Sequence, residues 1–230
     1  VVGAQTDSQL SRYVTFRTRQ GHKAIPFEKD SVVLTEKTAL NLGVEPGDSI
    51  WVENPDGERV EMTLTGVTEN YMFTRLYVSN AQLQTLLGTC SPMTGIQPDF
   101  HCDYGFNIHT HGLAVINYNC VILDTSPVNI GAGAFIAPGV CLACSGHAID
   151  PEQRSHGIGT SAPITLEENV WIGANSTVCG GVTIGAGSVI GAGSVVTHDI
   201  PAGVIAAGVP CKVIRPITEK DKFKPEDILF

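Results

Sequence analysis

From Ile172 to Val195 the chain reads "IGANST", "VCGGVT", "IGAGSV" and "IGAGSV", four six-residue units in phase. The count extends outward through Leu166 and Val196. It reappears at Ile130, Ile136 and Leu142, on the other side of a polar interruption. Each unit opens on an aliphatic residue, continues with small ones, and carries Ser or Val at its fifth place. A short flat strand followed by a tight corner repeats in this way when three such units close one triangular coil. The aliphatic side chains then stack inward, and the small residues permit the corners. The pattern predicts a parallel β-helix over the second half of the chain, starting near residue 106. The flat faces of such a prism suit burial against symmetry mates, so a homotrimer is expected.

The composition agrees with a β architecture. Among 230 residues there are 25 glycines, while charged residues make up 16% and aromatics 7%. A net charge of −9 argues against a nucleic-acid or anionic-membrane surface. No apolar run approaches the ~20 residues of a membrane helix. The first residues, "VVGAQTDSQLSRY", lack a signal peptide's apolar core. Seven scattered cysteines, an odd number, do not suggest a disulfide framework, and a cytoplasmic location is expected.

Residues 1–94 show no six-residue period and read as a small α+β module, with the β-helix domain expected over 95–230. "TEKTALNLG" predicts a short helix stopped by Gly43. "DSIWVENPDGERVEMTLTGV" predicts two strands joined at Pro55-Asp56-Gly57. "YMFTRLYV" predicts a strand, and "SNAQLQTLLG" a helix with a Ser79–Gln82 capping box, ended by Gly88. The stretch 90–100, "CSPMTGIQPDF", carries the Gly and Pro of a linker. The module shows no carboxylate cluster, metal-spaced ligand set or nucleophile with base. Its stretches "VVLTEKTALNLGVEPGDSIWV" and "LTGVTENYMFTRLYVSNAQLQTLLG" resemble, over residues 10–90, part of the extracytoplasmic domain of FtsX-like ABC-transporter permeases. The membrane helices of such permeases do not accompany them.

A solenoid tolerates insertions as loops thrown out from a corner, often on its binding face. The interruption from Ser145 to about Ala162 holds Gly146, His147, Asp150, Glu152, Arg154 and His156. Within "PDFHCDYGFNIHTHGLAVINYNCVILDTSPVNIGAGAFIAPGV", "GHAIDPEQR" and "PITLEENVWIGANSTVCGGVTIGAGSVIGAGSVVTHDIPAGVIAAGVPCKVIRPI", residues 98–217 resemble the maltose/galactoside O-acetyltransferases. These are left-handed β-helix enzymes of the hexapeptide-repeat superfamily. The resemblance implies acetyl-CoA as cosubstrate, a sugar hydroxyl as acceptor and no metal. It implies His147 as catalytic base, Asn117 and Asp124 as acceptor-binding residues, and Trp171 beside the acyl and pantetheine region. Ala174 is implied as the backbone N–H that meets the oxyanion, and Ala192, Thr197, Lys212 and Arg215 as further coenzyme A contacts. Relatives often carry lysine after that threonine, where this chain has His198. The module stands in place of the family's helical N-terminal segment, which helps close the acceptor site.

The chemistry fits the residue types. Transfer of an acetyl group to an alcohol needs a base near neutral pH, for which neutral imidazole is suited, and a donor for the tetrahedral oxyanion. Lys220, Lys222 and Lys224 read as a solvated tail. Cys141-x-x-Cys144 lies within the repeat register without a second pair and reads as packing, not as a zinc or redox motif. Two other classes remain as alternatives. One is a non-catalytic trimeric scaffold that binds a partner through its first module. The other is a zinc lyase of the γ-carbonic-anhydrase kind, whose three-histidine spacing His109, His111, His147 and His156 do not match.

Overall fold

The computed structural model describes residues 2–4, 16–53, 59–69 and 76–223. Ahead of the coil stand β1 (Val2–Ala4), β2 (Val32–Thr35), α1 (Glu36–Leu42), β3 (Ser49–Glu53), β4 (Arg59–Thr63), β5 (Gly66–Thr68), β6 (Leu76–Ser79) and α2 (Asn80–Leu86). Helix α1 ends where its sequence directs, at Gly43, whose φ of 68° admits a left-handed cap that residues with a Cβ resist. β3 and β4 form the expected antiparallel pair, while the turn at Pro55-Asp56-Gly57 lies outside the described residues. The first residues of "YMFTRLYV" and the Ser79 side chain of the capping box lie outside them as well. α2 stops at Leu86, short of Gly88. Gly88 serves a different need: a Cβ there would collide with the Phe106 carbonyl, so its absence lets the helix end press against the coil.

The coil then rises rung by rung. Its first turn is β7 (Thr94–Ile96), β8 (Phe100–Cys102) and β9 (Ile108–Thr110). The second is β10 (Ala114–Ile116), β11 (Val121–Leu123) and β12 (Val128–Ile130). The third begins with β13 (Ala134–Ile136) and β14 (Cys141–Ala143). A hairpin then leaves the prism as β15 (Ser145–His147), α3 (Pro151–Ser155) and β16 (Gly159–Ser161), and β17 (Ile164–Leu166) closes the turn. The fourth is β18 (Trp171–Ile172), β19 (Thr177–Cys179) and β20 (Thr183–Ile184). β21 (Val189–Ile190) and β22 (Val195–Val196) follow. β23 (Val204–Ala207) and an antiparallel β24 (Lys212–Pro216) cover the last face.

Stacking produces three parallel faces. The first holds β8, β11, β14, β19 and β22; the second β7, β10, β13, β18, β21 and β23; the third β9, β12, β17 and β20. All nine counted aliphatics, Ile130 through Val196, are at most 2% exposed. Burying each contributes about 1.5–3 kcal/mol. Ser176, Ser188 and Ser194 are buried too, and each stitches its corner to the next coil; the Ser188 hydroxyl donates to the Pro201 carbonyl at 2.7 Å and accepts from the Val204 N–H at 3.2 Å.

The coil starts earlier than the hexads suggest. Residues 94–102 are not a linker: β7 pairs in parallel with β10, and β8 with β11, with Thr94, Ile96, Phe100 and Cys102 buried. The Gly and Pro of this stretch occupy an outward strand position and a corner, so their turn signal is real but belongs to the coil. The first face also runs on past the prism, since β1 lies between β8, antiparallel, and β6, parallel. Leu83, Leu86 and Leu87 of the α2 region join Phe100 and Ile108 in one continuous core.

Two neighbouring glycines separate two reasons for a small residue. At Gly185 a Cβ would overlap the Ala202 backbone nitrogen one coil on; at Gly187, φ is 68° and the space is open. Gly187→Ala should therefore cost only left-handed strain, ~1–2 kcal/mol, whereas Gly185→Ala forces coils apart and should cost ~3 kcal/mol or more. Chemical denaturation reads the order. Equal losses would contradict a coil spacing set by backbone contact.

Candidate active site

The order of strands and turns assigns every candidate residue to a place on the prism. One edge, between the first and third faces, stacks the turns 103–107, 124–127, 144–163, 180–182 and 197–199. Asp124, His147 and Thr197 lie there. A second edge, between the second and first faces, stacks 97–99, 117–120, 137–140, 173–176 and 191–194. It carries Asn117, Ala174 and Ala192. Trp171 lies on the second face, and Lys212 and Arg215 on β24 at its end. The first face separates the two edges, so the candidate residues form two groups that one chain does not bring together.

On the first edge, His147 is exposed at the end of β15, paired in register with Gly159 of β16. The loop beyond is ordered locally. Asp150 caps α3 by accepting from the Gln153 N–H at 2.9 Å, and Arg154 Nη1 donates to the carbonyls of Ala148 and Ile149, both at 2.9 Å. The imidazole makes no hydrogen bond among the described residues, and none of them fixes its tautomer. The Thr197 hydroxyl lies 2.9 Å from His198 Nδ1.

Asp124 has a different environment from the one the resemblance implies. It is fully buried. Oδ1 accepts from the N–H groups of Asp103 and Tyr104 at 3.1 and 2.9 Å, and Oδ2 from those of Gly105 and Asn107 at 2.7 and 3.3 Å. A carboxylate filled by four backbone donors is a turn-holder, and direct contact with an acceptor does not fit it. It fixes the turn that presents Tyr104, stacked on Phe106 with ring centroids 5.2 Å apart. Burial and the Asp124 charge together push the neighbouring Asp103 carboxyl upward. The sequence pattern gave no sign of a group of hydroxyls at this edge: Thr125 Oγ1 and Ser126 Oγ lie 2.7 and 2.6 Å from Ser161 Oγ.

On the second edge, one corner position recurs as Tyr118, Pro138, Ala174 and Ala192. The first N–H donates to Asn117 Oδ1 at 2.9 Å, and proline has none. Those of Ala174 and Ala192 have no partner among the described residues, while the Ala174 carbonyl accepts from the Gly193 N–H at 2.8 Å. Two N–H groups on successive coils, without a partner among the described residues, suit a carbonyl or amide ligand. Beside them Trp171 pairs across the ladder with Phe135, and both are about half exposed (53% and 50%). Arg215 is not free. It grips Asp221 with two parallel hydrogen bonds of 2.8 and 2.6 Å, which hold the Asp221 carboxyl well below the usual carboxylate range. Lys212 is exposed. A cleft of about 440 Å³ occupies the third edge, lined by His111, Gly131, Ala132, Glu167, Glu168 and Ala186, and it holds none of the candidate residues.

Among the described residues no group of three or more His, Cys, Asp or Glu is arranged to hold a metal, and no helix is long and apolar enough to cross a membrane. Cys144 is buried on the inward side of its corner, and burial pushes its thiol up to about 11; Cys102 rises to about 12 for the same reason.

The profile of the bacterial transferase hexapeptide family (six repeats) matches residues 163–198. The galactoside O-acetyltransferase of Escherichia coli (strain K12) is 42% identical over 167 residues, covering 70% of this chain and 82% of that protein. A crystal structure of a maltose O-acetyltransferase from Clostridium difficile 630 matches with a TM-score of 0.58 at 41% identity, covering 60% of this chain and 73% of that one. A hexapeptide-repeat acetyltransferase from Vibrio cholerae O1 biovar eltor, complexed with acetyl coenzyme A, matches with a TM-score of 0.59 at 35% identity. That match covers 60% of this chain and 76% of that one.

The thiols give a direct check on the packing. At about pH 8 an alkylating reagent should leave Cys102 and Cys144 unmodified in the folded protein, because thiolate is the reactive form. All seven cysteines should react after denaturation. Unfolded thiols release protons around 9.0 and folded Cys144 only near 11, so stability should fall as pH rises through that interval. Rapid labelling of Cys144 in the folded protein would contradict the burial argument.

Proposed function

The chain belongs to the hexapeptide-repeat acetyltransferases of the galactoside/maltose type, left-handed β-helix enzymes that use acetyl-CoA, and from that premise we propose that it acetylates a sugar hydroxyl, with His147 as general base. His147 takes the proton of the acceptor hydroxyl as its oxygen attacks the thioester carbonyl. The tetrahedral oxyanion meets the N–H of Ala174, which has no partner among the described residues. Collapse of that intermediate releases coenzyme A as a thiolate, which recovers the proton from the imidazolium. No covalent enzyme intermediate is needed, and a positioned base of this kind commonly contributes ~10²–10⁴-fold.

For the acetyl-CoA substrate, the Trp171–Phe135 face offers apolar cover to the pantetheine, and the Ala192 N–H offers a hydrogen bond to one of its amides. The exposed Lys212 offers charge to phosphate. Thr197 lies across the first face from these groups, on the His147 edge. Arg215 contributes through its grip on Asp221, or exchanges that carboxylate for phosphate. Asn117 faces the acceptor, and Asp124 acts by holding the 103–107 turn. The described residues ahead of β7 serve as a cap on the first coil and carry no step of the reaction.

The observation that carries most weight is the separation of the two groups. His147 and the Ala174–Ala192–Trp171 group stand on different edges of one prism, and the imidazole has no hydrogen-bond partner among the described residues. A cytoplasmic homotrimer, with the His147 edge of one copy facing the second face of the next, brings the halves together. The family assignment leaves the non-catalytic scaffold without support.

His147→Ala should lower turnover by ~10²–10⁴-fold, while folding, assembly and affinity for acetyl-CoA change little. His156→Ala, at the end of α3 in the same hairpin, should matter far less. Release of free thiol from acetyl-CoA over a panel of sugars reads both. Near-normal kcat in the His147 variant would overturn the assignment.

A further inference from the structure

We propose that Ser161 is a positioning residue for His147: with Thr125 and Ser126 it forms a hydroxyl latch that fixes the hairpin to the prism. This rests on His147 being the base. The hairpin has little else to hold it. Its ladder is three pairs long, Ser145↔Ser161, Gly146↔Thr160 and His147↔Gly159. Every residue from 149 to 161 is exposed, and only Ala148 is buried. The polar contacts of Asp150, Arg154 and Ser155 stay within the loop. Backbone bonds tether the base, Cys144 N–H to the Leu123 carbonyl and Ala162 N–H to the Cys144 carbonyl, both at 3.1 Å. Among the described residues, the side-chain hydrogen bonds from hairpin to coil all converge on Ser161 Oγ, from Thr125 at 2.7 Å and Ser126 at 2.6 Å.

The chemistry of three hydroxyls closes this contact. Ser161 has one proton to give and two lone pairs to receive, so its hydroxyl can hold both neighbours at once, whichever atom donates in each contact. Thr125 and Ser126 sit on the turn just after Asp124, whose carboxylate ties that turn to 103–107. The latch therefore connects the exposed hairpin to a corner that the Asp124 carboxylate holds with four backbone hydrogen bonds. Ser161 stands opposite Ser145 at the foot of the ladder, and His147 lies two residues up the paired strand. A tilt at the foot moves the imidazole along with the strand, and a base displaced by ~1 Å can lose up to ~10²-fold in rate.

The test combines kinetics with amide exchange of the full-length protein. Ser161→Ala should lower kcat ~10-fold with the KM for acetyl-CoA within ~2-fold. It should also speed exchange in residues 145–161 by ~5-fold, with the β18–β22 rungs unchanged. Ser161→Thr, which keeps the hydroxyl, should restore both. The double variant Thr125→Val with Ser126→Ala should reproduce the loss, and adding Ser161→Ala to it should cost little more, since the three act as one contact. A direct substrate contact by Ser161 alone would leave the Thr125/Ser126 variant active and would overturn the latch. So would unchanged exchange in the Ser161 variant, or loosened exchange with full kcat. A parent protein that turns over no acetyl-CoA would instead overturn the acetyltransfer reading beneath it, and the exchange data tell the two failures apart.

Discussion

Every coil of this protein hands its backbone hydrogen bonds to the next, as when the Trp171 N–H meets the Ser188 carbonyl at 3.0 Å and the Phe135 N–H the Val170 carbonyl at 2.9 Å. This constraint decides most of the rest. A rung can pair only if its corner keeps step with those above and below, so left-handed corner positions recur as Gly, Asn or Asp. At one edge they run Asp99, Asn119, Gly139, Asn175 and Gly193, with φ from 56° to 72°. It also explains why extra chain must leave through a corner. The 145–161 excursion departs and returns at one point of the ladder, and Leu142 and Leu166 remain buried on either side.

The same constraint explains what was legible. Inward aliphatics every six residues have one economical arrangement, and the counted positions from Ile130 to Val196 all fill the core. The first coil was hidden because Cys102 takes the place of an aliphatic one count after Ile96, in register with Ile122, and Pro98 between them imitates a linker. The Asp124 environment was half legible. Side chains alternate along a strand, so a residue two beyond the buried Ile122 faces inward, and a carboxylate facing inward needs donors. The four N–H groups that meet it come from a turn of the preceding coil, and such a pairing depends on register, which no local pattern in "NYNCVILD" encodes.

The site illustrates how a repeat fold divides its labour. In the proposed site two corners, at Ala174 and Ala192, offer N–H groups that have no partner among the described residues, and the irregular hairpin offers His147. Arg215 shows the opposite tendency: a residue for which the resemblance implies a coenzyme A contact is already held by Asp221. Because one face of the prism separates the hairpin edge from the N–H edge, the proposed chemistry depends on a second copy.

Subunit mixing tests that dependence most directly. His147→Ala removes the base, and Ala192→Asp puts a carboxylate at an exposed corner on the opposite group; each variant alone should be inactive. If sites are completed between copies, mixed trimers of the two variants hold some sites with an intact half from each. Activity should then return to about a quarter of the parent level after random reassembly of a three-subunit ring. A mixture that reassembles into trimers yet stays inactive would show that each site lies within one chain, and would contradict a site shared between copies.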